Sequence, residues 1–257
     1  TDEAKLDYCM NRQPGGQLVR AYFAPDGSIR NEVRVSTNTG TLRDPDVYWS
    51  GRRILFAMRK HLETDDFHVY EYDLDTKETR QITSVQCVAE FEPQYLPNDE
   101  ILFGSTRCMQ ITDCSWAEVS NFYTCDRNGR FLRRISHDQV TVNYPQLLPD
   151  GRVTYTRWDY NDRGQIFPQA LFQMNWDGTA QTEYYGNNSF FPTTIRHARG
   201  IPGTGLILAI ASGHHTYQQG KLITIDRSKG SQENTGCTLI APPREPHADH
   251  IDAYGQD

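Results

Sequence analysis

The sequence predicts an all-β fold, a β-propeller of four-stranded antiparallel blades, with four recognisable blades, partial blades at both ends and six blades if complete. Three observations carry that expectation. Strand-like segments recur at a spacing of roughly 50 residues, a period at which propeller blades repeat. Within them Val, Ile, Leu, Tyr and Phe alternate at a period of two, as half-buried strands require, and helical periodicity is almost absent. Asn128-Gly129, Asp150-Gly151 and Asp177-Gly178 punctuate the strands with the positive backbone angles of tight hairpins.

Taken in order, QLVRAYFAPDGSIRNEVRVS from Gln17 reads as the outer hairpin of a preceding blade or the inner hairpin of a new one, and the spacing from Ala24 to Asp73 favours the former. Three inner hairpins then align: DPDVYWSGRRILFAMR from Asp44, FEPQYLPNDEILFGSTR from Phe91 and NYPQLLPDGRVTYTR from Asn143. Each offers a proline (Pro45, Pro93, Pro145), a polar turn, an alternating strand and then an arginine (Arg59, Arg107, Arg157). Outer hairpins follow as FHVYEYDLDTKETRQIT from Phe67, NFYTCDRNGRFLRRIS from Asn121, ALFQMNWDGTAQTEYY from Ala170 and KLITIDRSKG from Lys221. Asp73, Asp126, Asn175 and Asp226 mark the same turn in each. The repeat units run approximately 44–84, 89–137, 139–187 and 189–234, and CTLIAPPREPHADHIDAYGQD from Cys237 reads as the beginning of another blade. Residues 1–257 are expected to form a single propeller domain within a longer protein. Each blade has two apolar faces that only neighbouring blades can cover, so stability is collective.

The formal net charge of -7 argues against nucleic acid or an anionic membrane as the main partner, because both demand a surplus of Lys and Arg. No run approaches the roughly 18 apolar residues of a membrane helix. The six cysteines form neither a dense disulfide framework nor a CxxC metal pair, and no CxxCH haem-attachment motif occurs. Cys108 and Cys114 are placed for a loop disulfide, with free thiols or other pairings as the alternatives, and Cys125 is expected in the core.

The LPDGRV hairpin from Leu148 and the YEYDLDTKETRQIT hairpin from Tyr70 resemble the TolB-type propeller repeat, which also occurs in prolyl oligopeptidase relatives and oligogalacturonate lyases. A narrower resemblance runs through residues 89 to 226. EPQYLPNDEILFGSTRC, SNFYTCDRNGRFLRRIS, LLPDGRVTYTRWDY, LFQMNWDGTAQTEYYGNNSFFP and ASGHHTYQQGKLITID, in that order, are similar to the middle propeller domain of the hydrazine synthase alpha subunit and its bacterial relatives. The resemblance implies a six-bladed propeller inside a larger exported, periplasmic protein, often beside cytochrome c domains. Its partners would be flanking domains or subunits that bear haem, and this chain would wall a haem site rather than own it. A second reading, by analogy with the oligogalacturonate lyases, is a metal-assisted propeller lyase acting on an acidic polysaccharide. A third is a protein-interaction scaffold.

Three sets of side chains stand out as candidate sites. His214 and His215 in SGHHTYQQG, with His247 and His250 in HADHID, are suited to a divalent metal, since imidazole binds Zn, Cu, Fe or Ni; the alternative is hydrogen-bonded loop histidines. Arg59, Arg107 and Arg157 recur after equivalent strands, where their planar forks would clamp a carboxylate or phosphate or pair with acidic neighbours. Trp158 and Tyr160 lead an aromatic cluster that would stack on a carbohydrate or other small-molecule ligand, or serve as core. No GxSxG elbow and no phosphate-binding glycine loop is present, so a hydrolase would lack its nucleophile.

Overall fold

The computed structural model describes residues 14–112, 117–160, 168–213 and 220–242. Strands β1 (Gln17–Phe23) and β2 (Ile29–Ser36) pair as a two-stranded antiparallel sheet. β3 (Thr41–Val47), β4 (Arg53–Arg59), β5 (His68–Asp73) and β6 (Thr79–Gln81) follow as a four-stranded antiparallel sheet in chain order. The next sheet is built of β7 (Glu90–Tyr95), β8 (Ile101–Ser105), β9 (Asn121–Cys125) and β10 (Arg133–Arg134). Two further runs are β11 (Val142–Leu147), β12 (Arg152–Trp158), β13 (Gln169–Asn175) and β14 (Thr182–Tyr185), then β15 (Thr194–Gly200), β16 (Ile207–Ser212), β17 (Lys221–Ile225) and β18 (Cys237–Ala241). They are joined by one parallel bridge, Gln169 with Thr194. Among the described residues there is no α-helix, so the all-β expectation holds.

One reading of the sequence is corrected. Cys237–Ala241 does not begin another blade; it is β18, paired antiparallel with β17 from Cys237 opposite Ile225 to Ala241 opposite Leu222. The 3-10 turn Arg227–Lys229 and the glycines at 230 and 236 lengthen that connection, which hid the hairpin from a reading based on short turns.

The described residues divide into two compact units, one drawn from Asp2–Met109 and Tyr123–Arg133, the other from Gln110–Phe122 and Arg134–Asp257. In the first, β4 and β5 are apolar on both faces. Phe56, Met58, Tyr70 and Tyr72 pack with Leu18 and Val35 of the first hairpin, while Leu55, Val69 and Ile82 pack with Tyr95, Ile101, Phe103, Tyr123 and Cys125. Alternation at period two sends neighbouring residues of one strand into different cores. In the second unit Leu148, Leu171, Tyr184 and Tyr185 pack with Ile195, Ala198, Ile207, Ala209, Ala211, Ile223 and Ile225 of the following sheet.

The recurrent prolines sit where a strand can tolerate them. Pairing of each first strand slips between Arg43 and Asp46, Phe91 and Gln94, Asn143 and Gln146, and Arg196 and Arg199. Within each slip one residue is left-handed: Asp44 (φ 55°), Glu92 (φ 53°), Tyr144 (φ 56°) and His197 (φ 51°). A bulged residue has no ladder partner, so Pro45, Pro93 and Pro145 forfeit no strand hydrogen bond there. In the first unit the Asp44 carboxylate accepts from the Glu92 N–H (3.1 Å) and Asp46 from the Tyr95 N–H (2.9 Å), which ties one bulge to the next.

The outer hairpins share a second device. Asp126 Oδ1 accepts the N–H groups of Asn128 and Arg130 (both 2.8 Å), and Asp73 Oδ1 those of Asp75 and Thr76 (2.9 and 3.0 Å), so the predicted acidic markers are turn caps. The Ile-Thr and Ile-Ser pairs that end these hairpins close them: Thr83 Oγ1 accepts from Val69 N (2.9 Å) and Ser136 Oγ from Phe122 N (2.8 Å). The turn glycines then press on the preceding hairpin. A Cβ on Gly129 (φ 75°) would stand 2.2 Å from the Ile82 carbonyl oxygen, and one on Gly178 (φ 87°) 2.6 Å from that of Ile135. Gly151 (φ 85°) has nothing within 4 Å. Gly151→Ala is therefore expected to lose only the left-handed conformational preference, about 1–2 kcal/mol. Gly129→Ala should lose distinctly more, because backbone must move, and urea unfolding of the two variants side by side measures the difference.

Candidate functional site

Each of the three recurrent arginines is engaged by acceptors of the protein itself. Arg59, at the end of β4, donates through Nε to the Asp65 carbonyl oxygen. Arg107, just beyond β8, donates to the Glu90 carboxylate and, through Nε, to Ser105 Oγ at 3.1 Å, with its guanidinium 5.4 Å from the Tyr123 ring centre. Glu90 is wholly buried at the start of β7, and its other oxygen lies 3.1 Å from His68 Nδ1; His68 Nε2 is 3.6 Å from Asp65. The result is a chain of polar contacts, Asp65-His68-Glu90-Arg107, with His68 and Glu90 buried at its centre. Arg157, in β12, contacts Asp159 (2.8 Å) and Asp138 (3.2 Å) and lies over Phe172 at 4.4 Å. Burial pushes the Asp138 carboxyl above the usual carboxylate range, with Asp159 adding to the shift and Arg157 opposing it.

A charged centre that no sequence pattern marked lies in the middle of β5. Glu71 is 3% exposed, yet its carboxylate accepts from Arg127 Nε (2.9 Å) and Nη2 (2.7 Å), Arg80 Nη2 (3.0 Å) and the Tyr95 hydroxyl (2.9 Å), with Arg53 Nη1 3.8 Å away. Burial pushes its pKa up, but the hydrogen bonds from Arg127, Arg80 and Tyr95 and the Arg127 charge outweigh that and hold it below the usual value. The sequence signal was a glutamate flanked by Val69, Tyr70 and Tyr72 in the strand HVYEYD.

The aromatic candidates open onto a third cluster, confined to the second unit. Trp158, the last residue of β12, is buried and its ring meets Tyr160 edge-on at 5.7 Å. In register with it across the sheet stand Gln169 at the start of β13, Thr194 at the start of β15 and Ser212 at the end of β16, all buried. Arg196, also buried, reaches Gln169 Oε1 at 3.5 Å, and Thr156 Oγ1 donates to the Ile195 carbonyl at 2.6 Å. Among the described residues the indole Nε1 of Trp158 and the hydroxyls of Thr194 and Ser212 find no hydrogen-bond partner. Tyr144 and His197, on the bulges of β11 and β15, bring their rings within 4.1 Å.

His214, His215, His247 and His250 lie outside the described residues, as does Cys114 of the Cys108–Cys114 pair. Among the described residues no group of three or more His, Cys, Asp or Glu side chains is arranged to hold a metal ion. None of their helices is long and apolar enough to cross a membrane. Cys125 is buried as expected, and burial, with Asp126 and Glu90 nearby, pushes its thiol up to about 12.

The chain has a TolB-like β-propeller fold. Its architecture is similar to Kuenenia stuttgartiensis hydrazine synthase (TM-score 0.72, 17% identity), over 85% of this chain and 35% of that one. It is similar to TolB from Acinetobacter baumannii (TM-score 0.61, 16% identity), over 90% of this chain and 50% of that one. An oligogalacturonate lyase from Vibrio parahaemolyticus shares the architecture at a TM-score of 0.53 and 10% identity, over 82% of this chain and 56% of that one. The chain thus spans between about a third and just over half of these proteins, and at such identities the likeness is one of fold. No protein-family model and no curated protein sequence matches it.

Because the folded-state pKa of Glu71 is depressed, its stabilising effect is complete above the usual glutamate range and lost as pH falls through the depressed value. Glu71→Gln should lower stability at neutral pH by about 1.5–3 kcal/mol, the range for hydrogen bonds to a charged group. The lower end is expected, because Arg80 and Arg127 are 42% and 41% exposed and reach water once stranded. On acidification below the usual glutamate range, the wild type should lose stability more steeply than the variant, which denaturant unfolding across pH measures.

Proposed function

We propose that this chain is the propeller domain of a larger, exported periplasmic protein similar to the hydrazine synthase alpha subunit, and that it acts as a binding and assembly module beside a redox or other catalytic domain. The observation that carries the reading is the match over 85% of this chain but only 35% of the hydrazine synthase chain, which leaves the greater part of such a protein to other domains. The arginine geometry supports it: Arg107 and Arg157 brace strand ends with the protein's own carboxylates, as a scaffold requires. Flanking domains or subunits that bear haem would be the partners, and the net charge of -7 disfavours nucleic acid in that role. A divalent metal held by His214, His215, His247 and His250 belongs to the same proposal on the strength of residue type alone.

The test is the absorption spectrum and elemental composition of the native protein purified from its source. A haem Soret band in the same particle, persisting through size exclusion, is expected, together with a stoichiometric divalent metal that His214→Ala/His215→Ala removes. A haem-free native protein that cleaves an acidic polysaccharide to ultraviolet-absorbing unsaturated ends would replace this reading with the lyase.

A further inference from the structure

We infer that the β1–β2 hairpin is a docking surface for an acidic polypeptide strand, which adds to the edge of β1 with its carboxylates against Arg20 and Arg30. The inference deepens the assembly role proposed above and rests on that reading for the source of the partner; the surface itself stands on the hairpin's own residues.

Register gives this hairpin two unlike faces. Tyr22 is opposite Arg30 and Arg20 is opposite Glu32, so these four share one side, together with Arg34 two residues beyond Glu32. Their contacts agree. The Arg20 and Arg30 guanidinium carbons lie 4.7 and 4.4 Å from the centre of the Tyr22 ring, and Arg34 Nη2 donates to Glu32 (2.7 Å) and to the Tyr22 hydroxyl (3.3 Å). The other side carries Val19 opposite Val33, Ala21 opposite Asn31 and Phe23 opposite Ile29. All six are exposed, Phe23 at 76% and Ile29 at 57%.

Charge on the first side is unbalanced. Its carboxylate, Glu32, is already occupied by Arg34 and by the Tyr22 hydroxyl, which donates at 3.0 Å. The hairpin's other carboxylate, Asp26, sits in the turn and accepts the Ser28 N–H at 2.9 Å. Arg20 stands directly opposite Glu32, yet among the described residues neither it nor Arg30 has a carboxylate partner. Arg34 Nε is buried and likewise finds no acceptor there. Stacking on Tyr22 holds the two guanidinium planes in place and leaves their N–H edges open, each able to take a carboxylate through two parallel hydrogen bonds.

Topology makes the partner a strand. β2 leads directly into β3, the first strand of the next sheet, as β6 leads into β7 and β10 into β11, so β2 takes the last place in its sheet and β1 the third. The third strands β5 and β9 have a neighbour on either side, whereas β1 among the described residues pairs with β2 alone. An open edge is a template for another strand, and a two-stranded hairpin is marginally stable without one. A strand laid along β1 alternates its own side chains. One set falls beside Arg20 and Tyr22, and the next beside Val19, Ala21 and Phe23. Acidic residues suit the first set and apolar residues the second. An acidic polysaccharide or a nucleic acid supplies neither the backbone ladder nor this alternation.

Calorimetric titration of the full chain with a synthetic peptide of alternating valine and glutamate tests the inference. A valine-lysine peptide and polygalacturonate serve as controls, and Arg20→Glu/Arg30→Glu is the variant. Saturable binding of the valine-glutamate peptide is expected, weakened tenfold or more in the variant, which should gain affinity for the valine-lysine peptide instead. Both replaced residues are exposed, so the variant should keep the wild-type melting temperature. If it does not fold, the two peptides decide on the wild type: a tenfold or greater preference for the glutamate form supports the surface, and equal binding overturns it. The titration needs no haem, so a haem-free native protein would sink the wider reading and leave this result standing. No binding of the valine-glutamate peptide, undiminished binding to the folded variant, tighter binding of polygalacturonate, or sedimentation of the unliganded wild type as a dimer that the variant lacks overturns the inference.

Discussion

A sheet with large apolar side chains on both faces cannot exist alone in water, and everything else in this protein answers to that constraint. In β4 and β5 the apolar side chains alternate between two cores: Leu55 and Val69 enter one, Phe56 and Tyr70 its neighbour. Burying a residue of this size contributes about 1.5–3 kcal/mol, and only a second sheet laid face to face can do it for a whole row. Sheets packed in this way must hold their neighbours at a constant spacing. The bulges, turn caps and glycines at the two ends of each sheet serve that end, since Gly129 and Gly178 let a turn lie directly on the preceding hairpin.

Packing two-sided sheets leaves a difficulty wherever polar side chains approach the core without water, at a strand start as at Glu90 or in mid-strand as at Glu71. The first unit resolves it with charge. Glu90 is buried but sits between Arg107 and His68, and Glu71 is buried but sits among Arg53, Arg80 and Arg127. Buried carboxylates of this kind add little net stability over an apolar core, but removing one partner strands the other without water. The second unit resolves it less completely. Arg157 is satisfied by Asp138 and Asp159, yet the line from Trp158 to Ser212 leaves three hydrogen-bonding groups unmet.

The functional reading follows from the same contrast. Arginines that recur in a repeat invite the idea of a ligand clamp, but a guanidinium already held by the protein's carboxylates is a brace, and Arg107 and Arg157 are both held. Such braces hold the strand ends without calling on a ligand. The fold itself names no chemistry, since the same architecture occurs in hydrazine synthase, TolB and an oligogalacturonate lyase.

The sequence by itself determined the fold class, because strand alternation, Asx-Gly turns and the spacing of the repeat are local signals that reappear with each hairpin. It marked Pro45, Pro93 and Pro145, Asp73 and Asp126, and the arginines after the second strands, and it brought Trp158 and Tyr160 to notice. It misread β18, whose connection to β17 is too long to resemble a turn. What only the tertiary structure decided is which distant residues meet. Glu71 and Arg127 are 56 positions apart, Tyr185 Oη reaches the Thr235 carbonyl 50 positions on, and Asp44 caps the Glu92 N–H 48 positions on. Such pairs join one repeat to the next, and no period within a repeat encodes them. The line Trp158, Gln169, Thr194 and Ser212 exists for the same reason: its members come from four strands, and only the pairing of those strands sets them in register.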